Sequence, residues 1–172
     1  MARTRKAPAA PARPLHAVID GTCSLRIPEV PSAPPLDGYR LRCDIEFSAD
    51  RQHVTLHGFD PLSTPAYEAR IGFASVSNTT TVHLKAAKRG TLSRDGHVEI
   101  PVVLHFDHSV DLPFVEEDSD LPITLTTHGT GGRALDRRGR IALVGEGRFE
   151  GGHLAGKRCA LTFEARVDPL PW

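Results

Sequence analysis

Long apolar runs are missing from this sequence, aromatic residues are scarce, and neither sign of charge prevails. The longest uninterrupted apolar stretch is the few residues around Pro101 to Leu104, well short of the ~20 that a membrane-spanning helix requires. Lys and Arg number 21, as do Asp and Glu, so the formal net charge is zero. Without a basic excess the chain lacks the electrostatic footprint of a nucleic-acid binder. Phe, Trp and Tyr make up 6% of residues, with none of the basic–aromatic interleaving that stacks bases. Cysteine is limited to Cys23, Cys43 and Cys159. An odd count without a CxxC pair is neither a disulfide framework nor a zinc ribbon. Cys43 and Cys159 fall at inward positions of strand patterns, where a free thiol acts as a small hydrophobe; the sequence alone leaves pairing among the three open.

Motifs that carry chemistry are absent too. There is no Gly-x-Ser-x-Gly elbow, phosphate-cradling glycine loop, Rossmann fingerprint or His-Glu-x-x-His. Gly129, Gly131 and Gly132 follow a strand pattern but open no helix, so no helix N-terminus is there to bind phosphate. The reading leans away from an enzyme, and no cofactor is called for.

What is present is a two-residue rhythm. From Tyr39 to Phe47 every odd position is apolar and every even one charged, so a strand here has one dry and one wet face. Ser48 to Arg51 supplies a polar turn into a second alternating run, Gln52 to Phe59, which is hairpin grammar. Tyr67 to Val76 and Thr79 to Ala86 suggest a further pair turning at Ser77-Asn78, the second rich in β-branched residues. After a Ser93–Gly96 turn, Val98, Ile100, Val102, Leu104 and Phe106 alternate along one strand. Pro101, lacking a donor, suggests an edge or bulge in it. Leu121 to His128, Arg140 to Phe149 (curved by Gly145 and Gly147) and Lys157 to Val167 complete the set. Leu92–Ile100 and Leu135–Leu143 echo one another, as charged tight hairpins do. No segment sustains helical spacing. The expectation is all-β: an antiparallel sandwich or small barrel of about eight to ten strands. At 172 residues and 18.7 kDa the chain suits one domain, assigned to residues 17–172. Residues 1–16, Ala/Pro-rich with Arg3, Arg5, Lys6 and Arg13 and no acid, read as a flexible basic tail. Its lack of an apolar middle segment argues against a signal peptide and for a cytoplasmic location.

Candidate sites come from the nine histidines and from loop charge. His53 and His57, with Thr55 between, share one strand face at about 7 Å spacing; a metal there needs a third ligand from a neighbouring strand. His105, Asp107 and His108 close the long strand with imidazole and carboxylate groups, suited to a metal or an acid/base pair. Residues 107–120 hold six acids and no Lys or Arg. Within them Glu116, Asp118 and Asp120 are an oxygen-rich cluster for a hard cation, although no glycine or closing acid completes a calcium loop. Phe114 and Val115 on the same loop, and the basic Arg133, Arg137 and Arg138, are candidates for contact with a partner.

Three functions follow as expectations. The first is a non-enzymatic β-module for protein–protein binding or self-assembly, motivated by strand edges and by complementary acidic and basic loops. The second is a small apolar-ligand carrier of lipid type, since barrels of this size, such as lipocalin-like and polyisoprenoid-binding ones, enclose apolar pockets; that analogy rests on size and strand content. The third is a metal-dependent His/Asp site. A packed interior would favour the first and a hollow one the second.

Overall fold

The computed structural model describes residues 12–30, 36–64, 66–71, 73–110 and 118–172. Most of the expected tail, residues 1–11, lies outside them. The strands are β1 (Leu15–Arg26), β2 (Leu36–Phe47), β3 (His53–Phe59), β4 (Leu62–Ser63), β5 (Tyr67–Ile71), β6 (Ala74–Ala87), β7 (Gly90–Leu92), β8 (Val98–Val110), β9 (Ser119–Thr126), β10 (Arg140–Arg148) and β11 (Arg158–Asp168). Among the described residues there is no helix, and none long and apolar enough to cross a membrane.

The sheet is all antiparallel and closes on itself. Its neighbours run β8-β7-β3-β2-β1-β11-β10-β9, and β9 returns to β8 through Glu99↔Thr126 to Phe106↔Ser119. The protein is therefore a barrel, with eight strands in the ring. β8 pairs with β7 at Glu99 and Val98 and with β6 from Val102 onward, while β4 and β5 add to β6. Pro101 sits at the changeover. Its carbonyl accepts from the Lys88 amide at 2.9 Å, so its nitrogen faces the same side, where β7 has ended and no ladder bond is forfeited.

Alternation fills the inside. Ile19 and Cys23 of β1, Cys43 and Ile45 of β2, Ile100 and Leu104 of β8, Leu143 of β10 and Leu161 and Phe163 of β11 all point inward and are buried. Gly21 takes one inward slot of β1 because β11 crosses there: a Cβ would lie 2.1 Å from the Glu164 carbonyl oxygen. Gly145 and Gly147 do the same where β10 lies over β9, facing the Thr124 and Pro122 carbonyls. At the rim, the Arg51 guanidinium donates to the carbonyls of Arg13 at 3.0 Å and Pro171 at 3.1 Å.

Two boundaries differ from the sequence reading. β1 begins at Leu15, inside the segment assigned to the tail, because Leu15 and His16 already pair with Phe47 and Glu46. The second hairpin turns between Ile71 and Ala74; Ser77 and Asn78 lie within β6, opposite Glu68 and Tyr67. Asn78 is 2% exposed, its polar side chain buried in the wall rather than presented at a turn.

Candidate functional site

The barrel interior has tiers of different chemistry. Its body encloses a void of about 40 Å³ with a wholly apolar wall, to which Cys23, Leu41, Cys43, Leu62, Leu143 and Phe163 contribute. A void that admits a water-sized sphere but offers it no polar partner stays dry. All three cysteines are free and buried. Burial pushes the Cys23 thiol up to about 11 and those of Cys43 and Cys159 to about 12, so none is a thiolate nucleophile near neutral pH.

Beyond the void, Phe106 and Phe149 meet edge-to-face with centroids 4.8 Å apart. Further along β8 and β6 the lining turns polar: Asn78, Thr80, His108 and Ser119 are all buried. His108 is the centre of this tier. Its Nδ1 lies 2.9 Å from Thr80 Oγ1, and its ring stands edge-on to that of His153 at 4.7 Å. Its Nε2 is buried and has no hydrogen-bond partner among the described residues, a condition that costs about 1–3 kcal/mol. Burial lowers the His108 pKa to about 4, with the neighbouring His153 acting in the same direction. The imidazole is thus neutral at pH 7. It offers a ligand one uncharged donor or acceptor, according to tautomer.

The structure separates the group His105, Asp107 and His108. Successive residues of a strand face opposite ways, so His105 and Asp107 lie on the outer wall and His108 inside; the three cannot share one ion. His105 instead meets the next strand. Its Nδ1 is 2.7 Å from Asp120 Oδ1 and its Nε2 3.5 Å from Asp118 Oδ2. The Lys85 ammonium pairs with the other Asp120 oxygen. Hydrogen bonds from His105, then Lys85, hold the Asp120 carboxyl below its usual range. Asp118 and Asp120 therefore converge on a histidine and a lysine of this chain rather than forming an oxygen-only cage. Glu116, Phe114 and Val115 lie outside the described residues.

His53 faces Arg89, with its Nδ1 2.9 Å from the guanidinium Nη2, whereas His57 stands beside Glu46 of β2. Arg133, Arg137 and Arg138 are exposed; Arg133 bridges to Ala142 through its backbone, and the other two occupy the turn held by Asp136. Sequence reasoning missed the polar tier because Asn78 and Thr80 were read at or beside a turn and His108 as strand-end polarity. Carrying the period of two past Phe106 would have placed His108 inside.

The chain matches no protein-family model, no curated protein and no solved structure.

Proposed function

We propose that the barrel binds a small, slender apolar ligand of lipid type, whose uncharged polar end meets His108. What carries the reading is the buried Nε2 of His108, without a hydrogen-bond partner among the described residues, in the polar tier at one end of an apolar barrel body. Ligand sites are typically apolar hollows with a few convergent polar groups, and a strongly shifted ionisable residue marks them. Because His108 is neutral at pH 7, it favours a hydroxyl or carbonyl over a carboxylate or phosphate. A benzene-sized guest occupies a cavity of about 150 Å³, against about 40 Å³ here; the interior is close to packed, which weighs toward the second reading below, and entry of a ligand requires wall side chains to give way.

A second reading, the protein-binding or self-assembling β-module, is favoured by Phe73, which is 102% exposed beyond the end of β5. Against it, the closed ring removes edges that β-addition uses, leaving those of β4 and β5, which add to β6 outside the ring. Native mass spectrometry of untagged protein from cells, with titration by the neutral fluorophore N-phenyl-1-naphthylamine, separates the two. The carrier reading expects a retained added mass or saturable binding of one fluorophore per chain, weakened in His108→Leu. Bare chain mass without saturable binding overturns it, and masses at multiples of the chain favour the second reading.

A further inference from the structure

We propose that His16, Glu46 and His57 form a site for a divalent transition ion of the zinc class on the outer wall of the barrel. Three adjacent strands supply it. His16 of β1 and Glu46 of β2 are direct antiparallel partners, and directly opposed side chains start about 5 Å apart at Cβ. On the other side of β2, Leu56 of β3 pairs with Ile45 and Gly58 with Asp44. His57, between them, is the one extra residue of a β-bulge. A bulge re-aims the side chain it carries, and here the imidazole reaches the Glu46 carboxylate.

The distances fit a ligand set. His16 Nε2 is 3.4 Å and His57 Nε2 3.9 Å from the same Glu46 Oε2, the imidazole centroids are 6.2 Å apart, and one ligand atom from each residue lies within 4.8 Å of the others. Tetrahedral ligands at zinc bond lengths are roughly 3.3–3.6 Å apart. The His16–Glu46 edge already has that length, the His57–Glu46 edge needs to shorten by a few tenths of an ångström, and the His16–His57 edge, no longer than 4.8 Å, closes as the two exposed imidazoles turn toward the ion. Two imidazoles and a carboxylate are a donor set zinc accepts while keeping a fourth position for water. The side chains of His16 and His57 are 77% and 49% exposed, and both border a surface depression shared with Asp44 and Asp168. The fourth position therefore opens to solvent.

The test is calorimetric titration of the full untagged chain with Zn²⁺. One saturable equivalent is expected, with affinity falling about tenfold or more in Glu46→Gln and in His57→Ala. The stacked pair His97 and His128, centroids 4.1 Å apart, supplies the control: His97→Ala/His128→Ala should bind as the parent does. If the change at the bulge lowers the metal-free melting temperature, His16→Ala, at an exposed strand end, replaces it with the same expectation. Absence of stoichiometric binding overturns the proposal, as does undiminished affinity in Glu46→Gln.

Discussion

Neutral His108 ties the stability of the barrel to pH in a direction that can be worked out. Its folded pKa of about 4 lies below the ordinary 6.5. Under pH 6.5 the unfolded chain takes up a proton that folded His108 refuses, so the unfolded state gains and stability falls as pH drops, levelling off below pH 4. The gap from 6.5 to about 4, at 1.36 kcal/mol per pH unit, amounts to about 3 kcal/mol in full. About 2 kcal/mol of it is lost between pH 7.5 and 5.0. Burial is the main cause; His153 and His105 add to it, and Asp107 opposes it. Urea unfolding of the parent and of His108→Leu at the two pH values isolates the effect, because titrations common to both chains cancel in the double difference. The parent should lose about 2 kcal/mol more than the variant. Equal losses would refute a neutral, buried His108, whereas a larger loss in the variant would reverse the assigned sign.

Two further outcomes test the barrel wall and its contents. Gly21→Ala drives a methyl group into the Glu164 carbonyl and Ala165 and should destabilise the β1–β11 seam by about 3 kcal/mol, read as a lowered urea midpoint. Cys23, Cys43 and Cys159, free, buried and with raised pKa values, should resist Ellman's reagent in the folded protein and yield three thiols per chain in urea; rapid reaction without denaturant would contradict their burial.

Strands with one wet face were legible because apolar residues recur at every second position, in strict alternation with charge from Tyr39 to Phe47 and more loosely along Val98 to Phe106 and Arg158 to Val167, where Pro101, Val103 and Ala160 interrupt the outer row; all three lie in the barrel wall. β1 was harder to see. Its inward row contains Gly21, and its outward row opens with His16, so the rhythm fades where close approach to β11 demands a missing side chain. The choice between sandwich and barrel depended on β8 pairing with β9, a contact that no local pattern encodes. Candidate sites followed the same division. The face shared by His53 and His57 was visible along one strand, but the neighbours of His57 come from β1 and β2, and its bulge exists only as a mismatch of register between two strands. Glu46 had been legible only as one more charge on a wet face.

Pairing of β1 with β11, from Val18↔Asp168 to Arg26↔Ala160, has a kinetic consequence. β1 is synthesised more than a hundred residues before its ring neighbour β11, so during translation that edge of β1 stays unsatisfied until β11 leaves the ribosome. Such distant closure makes folding slow and leaves partly built sheets prone to stick together. Expression at low temperature, or with holdase chaperones, should therefore raise the soluble yield more than any single stabilising substitution in the wall.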